Sequence, residues 1–329
     1  MRTSIYRLLL VTSLFITQHK LSAQVLYIAD KTIDLPGTGG YDYLFIDKPN
    51  NKLYVSHASA VNVIDLTNEK LVGTIDNLKK CHGIAVVNKL NRGFISDGKA
   101  NAVVVFDINT FITIQTISLT GKNPDAIMYD LYSNKVFAFN GGSNNVSVID
   151  VEAMKEITTI DLGGGPEFAV ANGAGKIYNN IEDKNSLKVI DSKVLKVINT
   201  YSLSPCGGPT GITLDSANNR LFTVCRENKG MSVVDASNGK VITTVPIGSG
   251  VDAVAFDAAT KLIFCSNGDG TTTIIKQESA DKYTVVQTLK TLAKAKTLAL
   301  DKDTHKIYLS VNDPATNSFK VLVYKLANK

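Results

Sequence analysis

Tryptophan is absent from the 329 residues, and histidine and cysteine number only four each. No CxxC pair occurs, which excludes a zinc ribbon or a thioredoxin-like thiol motif. A haem-attachment CxxCH is missing as well, because Leu78 stands where its first cysteine would have to precede Cys81 and His82. No GxSxG nucleophile elbow appears. Glycine does cluster, at 163–165, in CGGPTG from Cys206 to Gly211, and at 248–250. Each cluster leads into a strand-like run, so the helix N-terminus that completes a phosphate cradle is lacking. Neither haem nor a nucleotide cofactor is expected.

Charge of one sign is also scarce. The chain carries 35 basic and 30 acidic residues, but Arg2, Arg7 and Lys20 fall in the first 23 residues, leaving 32 against 30, a net of +2. Lysine and arginine are scattered, without the basic stripe that a nucleic-acid binder presents. Without tryptophan, the stacking platforms of single-strand binders are reduced too. Nucleic acid is not the expected partner.

Residues 1–23 begin with Arg2 and Arg7, continue through an apolar run from Leu8 to Ile16, and close with Leu21, Ser22 and Ala23. This layout is that of a secretory signal peptide, and the run is too short to span a bilayer. The mature chain is expected to be residues 24–329, one domain, periplasmic or secreted. No later apolar run reaches the roughly 18 residues of a membrane helix. A monomer is expected.

What the chain does have is a repeat. From Pro124 to Gly165 it reads four short runs, AIMYD, KVFAF, VSVID and ITTIDL, rich in β-branched and aromatic residues and separated by Asn, Asp, Ser and Gly. The unit restarts at Tyr41, Cys81, Pro124, Pro166, Pro209, Val251 and Ala295, at spacings of 40, 43, 42, 43, 42 and 44. Four strands at a period near 40 are the mark of a β-propeller blade. The fold class is therefore all-β, a seven-bladed β-propeller. The TIDLPG that ends at Gly37 matches the fourth-strand TIDLGG at Thr159–Gly164, whereas the last unit stops without a fourth strand. Residues 26–35 are expected to complete that last blade and close the ring, which removes the exposed sheet edge.

Two sets of aspartates recur. Asp47, Asp130, Asp215, Asp257 and Asp301 follow first strands, and Asp65, Asp107, Asp150, Asp191 and Asp235 end third strands. Aspartate caps its own turn by accepting backbone N–H groups two residues on, so both sets are expected to be structural.

The opposite face carries two other columns. Directly after the unit starts stand Asp42, His82, Asp125, Glu167, Thr210, Asp252 and Lys296. Three residues after each second-strand aromatic position stand His57, Asp97, Asn140, Ile181, Cys225, Asn267 and Val311. Both columns are expected at one mouth of the central channel, where convergent polar groups make a ligand site. The ligand-binding candidates are His57, His82, Asp97, Asp125, Asn140, Glu167, Asp252 and Asn267. Asp42, His82, Asp125 and Glu167 are the candidate ligands of a divalent cation such as Ca²⁺, Mg²⁺ or Mn²⁺. His57 and His82 are the candidate proton-transfer residues, and His305 is expected on the far face. Solvated loop residues around a water-filled channel are the bland alternative. Of the cysteines, Cys206 enters the fifth unit and Cys225 ends its second strand, both toward one face, so a Cys206–Cys225 disulfide is expected and Cys81 and Cys265 are expected free.

The phrases KLYVSHASAVNVIDLTNEKLVGTI and KVFAFNGGSNNVSVIDVEAMKEITTIDLGGGP resemble the YVTN repeat, and the whole mature chain is similar to the YncE-like family of exported bacterial seven-bladed propellers. The resemblance implies a fold rather than an activity. It fits a binding protein for a small polar ligand, a divalent metal or a protein partner at the channel mouth. A metal-assisted hydrolase or lyase of lactonase type at the same mouth is the alternative. Some YncE-like proteins are described as DNA-binding, which would imply single-stranded DNA here; the acidic first column departs from the usual repeat and points to a ligand other than a polyanion.

Overall fold

Seven four-stranded antiparallel sheets surround a central channel in the computed structural model, which describes residues 26–37 and 39–327. The expected signal peptide lies outside the described residues. Blade 1 comprises Tyr41–Asp47, Lys52–His57, Ala60–Asp65 and Lys70–Ile75, and each later blade repeats that order from channel to rim. First strands touch first strands in sequence order around the ring, with blade 7 against blade 1. Second and third strands are buried on both faces, as in Leu53–His57 and Val61–Ile64. They accordingly read as continuous apolar runs. Fourth strands are covered on one face only, and Thr113–Ser118 is mostly exposed. The core lies between blades: Tyr54, Val61 and Val63 of blade 1, for example, meet Ile84, Val86 and Phe106 of blade 2.

The ring closes as the sequence predicts. Tyr27–Leu35 pairs antiparallel with Ser318–Leu326 and forms the outer strand of blade 7, from Tyr27 opposite Leu326 to Leu35 opposite Phe319, with a register shift between Ala29 and Lys31. Tyr27 is fully buried against Phe264 and donates its hydroxyl to the carbonyl of His305 at 2.7 Å. An ion network ties the strand down: Glu69 of blade 1 takes Lys31 at 2.5 Å and Lys306 at 2.8 Å, and Asp30 takes Lys306 and Lys325. The first strand of blade 7 is shorter than its sequence suggests, only Leu298–Leu300. The Lys296 carbonyl accepts instead from the Ala253 N–H and the Ser266 hydroxyl of blade 6, drawing the chain out of the ladder.

Both aspartate sets cap turns. Asp257 accepts from the N–H of Ala259 at 3.0 Å, and Asp150 from those of Glu152 and Ala153. Cys206 and Cys225 form a disulfide, their Cα atoms 5.2 Å apart, while Cys81 and Cys265 are free and buried. No described helix is long and apolar enough to cross a membrane.

Candidate ligand site at the channel mouth

A β-bulge opens the first strand of nearly every blade, and it builds the mouth. The ladder breaks between Tyr41 and Leu44, Cys81 and Ile84, Pro124 and Ile127, Pro166 and Ala169, and Pro209 and Ile212, and in blade 6 between Val251 and Ala253. A bulge frees residues from pairing and re-aims their side chains. The freed pairs are Asp42–Tyr43, His82–Gly83, Asp125–Ala126, Glu167–Phe168 and Thr210–Gly211. Gly83 and Gly211 stand where blades approach closely: a Cβ on Gly211 would lie 2.7 Å from the Asp252 carbonyl oxygen, and one on Gly83 would lie 2.9 Å from Ile127.

Buried hydroxyls and amides fix these bulges. Ser96 accepts from the Gly83 N–H at 2.8 Å and donates to the Asp125 carbonyl. Asn179 donates to the Glu167 carbonyl at 2.9 Å, Asn180 to that of Thr210 at 2.8 Å, and Thr297 to that of Asp42 at 2.8 Å. Ser56, Ser96, Ser266 and Ser310 occupy one column, next to the His57 column, and all four are fully buried. Sequence reasoning passed over them; their signal is a small polar residue recurring within an apolar strand.

Around the mouth the charges divide into two groups. His82, 6 % exposed, shares Nδ1 with Asp42 Oδ2 at 2.6 Å and lies 3.5 Å from Asp125 Oδ1. Burial would depress the imidazolium, but the Asp42 hydrogen bond and the Asp125 charge outweigh it and the His82 pKa rises. Burial, reinforced by Asp42, pushes the Asp125 carboxyl up to about 6. Burial, reinforced by Asp125, pushes Glu167 up to about 9. On the other side Asp252, 4 % exposed, is neutralised by Arg226 at 2.6 Å and Lys296 at 2.5 Å, and Arg226 also reaches Glu182 at 2.6 Å. Arg226 follows Cys225 in blade 5 only, so no repeat column announced it. A cavity of about 620 Å³ opens beside these cations, lined also by Tyr41, Lys294 and Gly250.

Tyr43 of blade 1 meets Phe168 of blade 4, ring centroids 4.5 Å apart. Blades 1 and 4 are not neighbours in the ring, so this contact crosses the channel. Within the channel remains an apolar space of about 180 Å³ between Tyr43, Phe168, Ala126 and Met128. Burial first, and then Asp125, Asp42 and Glu167, raises the Tyr43 pKa, so its phenol stays protonated beside the carboxyls. The mouth is thus a cup with carboxylate walls above an aromatic pair.

The structure brings together the first column and not the second. Asp42, His82, Asp125, Glu167 and Asp252 share the mouth, whereas His57, Asp97, Asn140 and Asn267 lie on the same face but are turned into the joints between strands and loops. His57, 3 % exposed, stacks on Phe319 at 3.9 Å, and burial lowers its pKa. Asp97 accepts the N–H groups of Lys79 and Lys80, clamping the loop into blade 2. Asn140 donates to Asn145 and Ser147, and Asn267 to Thr271 and Thr273. Asp97 thus fastens a loop with both oxygens, whereas His57 Nε2, Asn140 Oδ1 and Asn267 Oδ1 are buried without a hydrogen-bond partner. His305 pairs with Asp257 at 2.6 Å, in the turn after the first strand of blade 7. Among the described residues, the cluster that could offer a metal three ligand atoms is Asp42, His82 and Asp125, with those atoms all within 4.8 Å of one another.

No family model matches the chain. Antigen Lp49 of Leptospira interrogans is 25% identical over 235 residues, covering 68% of this chain and 51% of that protein. A protein named YncE from Salmonella typhimurium is 25% identical over 200 residues, 59% of this chain and 55% of its own. The chain spans about half the length of the curated relatives it matches. Among solved structures, a chain of hydrazine synthase from Kuenenia stuttgartiensis superposes with a TM-score of 0.73 at 16% identity, covering 88% of this chain and 96% of that one. A chain of the mitotic checkpoint complex superposes with a TM-score of 0.75 at 14% identity and 98% coverage of both. At such identities the structures speak for fold alone. The chain is therefore a seven-bladed β-propeller that is similar in sequence to YncE and to antigen Lp49.

Proposed function

We propose that the chain is an exported binding protein whose cup takes a small, positively charged polar ligand. One observation carries the reading: Asp125 and Glu167 face the mouth with no lysine or arginine paired to either among the described residues, and burial holds both carboxyl pKa values up. Crowded, half-buried like charges either keep protons or recruit a cation. The aromatic pair gives the mouth an apolar floor, and pockets of this kind hold small ligands. Export is supported by the leader-like residues 1–23 and by the Cys206–Cys225 disulfide. An acid-walled cup would repel a phosphate backbone, which argues against DNA as its ligand.

The test is calorimetric titration of the mature protein with small cations, divalent and organic, against the Asp125→Asn, Glu167→Gln double variant. Saturable binding by the wild type that the variant loses supports the proposal; no binding by any cation refutes it.

A second reading, metal-assisted hydrolysis or lysis of a lactone or ester, is favoured by the Asp42, His82 and Asp125 set. A dication there must replace the proton between His82 and Asp42, so its binding would release a proton. A chelator that lowers the melting temperature, with restoration by Mn²⁺ or Ca²⁺, supports it; an unchanged melting curve removes it.

A further inference from the structure

A cup with acidic walls alone would accept any cation, but three features of this one discriminate. The first is its floor. Tyr43 and Phe168 meet at a ring-centroid distance of 4.5 Å and an interplanar angle of 38°, in a channel otherwise lined by Ala126, Ile127, Met128 and Ala169. Aromatic faces attract a cation that sheds its water easily, and they also cover hydrocarbon. A divalent metal ion instead needs six or more oxygen ligands and gives up water reluctantly.

The second feature is how the carboxylates are committed. Asp42 is engaged by His82 at 2.6 Å, and Asp252 by Arg226 and Lys296. Glu167 remains without an ion-pair partner among the described residues, and Asp125 meets only His82, 3.5 Å from its Oδ1; they stand one step along the strand from Phe168 and Ala126. Asp125 Oδ1 is buried without a hydrogen-bond partner. That is an acceptor set for N–H donors rather than a coordination sphere.

The third is the opposite wall. Arg226 and Lys296 stand at the cup's rim, and Lys294 lines the adjoining cavity. A second positive charge on a ligand would meet them.

We propose that the cup selects a small organic mono-ammonium ion, its nitrogen against Asp125 and Glu167 and its carbon skeleton on the Tyr43 and Phe168 rings. The assignment rests on the cation-binding reading above and narrows its ligand class. The Arg226 and Lys296 side excludes diamines, and the floor favours carbon-bearing cations over bare ions.

The experiment is calorimetric titration of the mature chain at pH 8 with n-butylammonium, 1,4-butanediammonium, n-butanol, Ca²⁺ and Mn²⁺. The mono-ammonium is expected to bind about tenfold or more tighter than the diamine and the alcohol, and Phe168→Leu to weaken it about tenfold while Phe168→Tyr retains it. Asp125→Asn is expected to abolish it, with circular dichroism and melting curves confirming that each variant is folded. Binding of Ca²⁺ or Mn²⁺ without a response to n-butylammonium overturns this assignment and leaves the broader cation reading standing. Silence toward every cation overturns both. Equal affinity of folded Phe168→Leu and wild type removes the aromatic floor from recognition and overturns the assignment.

Discussion

Tyr43 and Phe168 touch across the axis of the ring, 4.5 Å between centroids, although they belong to blades three apart. Each sits at the second position of a bulge whose first residue is an acid, Asp42 or Glu167. The same distortion that aims a carboxylate at the mouth therefore sends an aromatic ring inward beneath it. Such a contact carries about 1 kcal/mol beyond simple area burial. A double-mutant cycle of Tyr43→Ala and Phe168→Ala in urea is expected to give a coupling energy of about 1 kcal/mol, because the two rings share no backbone hydrogen bonds. Additive losses would mean that the rings do not meet in solution.

Glu167 sets a pH dependence. Its folded pKa, about 9, lies above the ordinary value of 4.5, chiefly through burial. The folded state therefore holds its proton more tightly than the unfolded chain does. That contribution is complete below the unfolded value and is lost as pH rises through the folded value. Glu167→Gln, which stays neutral, is expected to match the wild type near pH 4 and to melt about 3 °C higher near pH 10. The melting difference, followed in steps between those limits, should grow with pH; a constant difference would place the ionisation elsewhere.

Fold and site were legible to different depths. The seven restarts and the four strands per unit state the blade directly, and TIDLPG matching TIDLGG states the closure. The acidic column was visible because acids recur directly after the unit starts, at Asp42, Asp125, Glu167 and Asp252. What periodicity does not carry is direction across the ring. His57 ends a second strand like its column mates, yet its ring turns outward onto Phe319 in blade 7, a pairing that depends on closure. Arg226 is unique to one blade, and Tyr43 meets Phe168 only because seven blades leave a channel narrow enough for two rings. Repeats specify the unit; contacts between distant units arise from assembly.

Ring closure should be acid-sensitive. Glu69 is buried at the blade 1 to blade 7 joint, where burial alone would raise its pKa, but the hydrogen bonds from Lys306 and Lys31 prevail and lower it. Its stabilisation is therefore present above the unfolded value and is lost as pH falls through the folded one. Tyr308 also donates to Glu69 at 3.2 Å, so the carboxylate serves three donors. Glu69→Gln is expected to cost about 2 kcal/mol at pH 7, the scale of hydrogen bonds to a charged group. The difference from wild type should shrink toward pH 3. Urea titration at both pH values checks it, and equal losses at both would refute the role of the charge.

The Cys206–Cys225 disulfide lies between the loop entering blade 5 and the end of that blade's second strand, 19 residues apart in sequence. Both cysteines are buried, Cys225 completely, among Leu203, Ile212 and Leu221. The bond also sits directly before Arg226, which reaches from blade 5 to Glu182 of blade 4 and Asp252 of blade 6. Closing a loop of this size removes unfolded-state entropy worth about 3 kcal/mol. The Cys206→Ser, Cys225→Ser variant is therefore expected to lose about 3 kcal/mol in urea, with reduced wild type behaving alike. Because Arg226 is carried on the same turn, the variant should also bind small cations differently from wild type at temperatures where both are folded. Unchanged affinity together with the stability loss would confine the disulfide to blade 5 and separate it from the mouth.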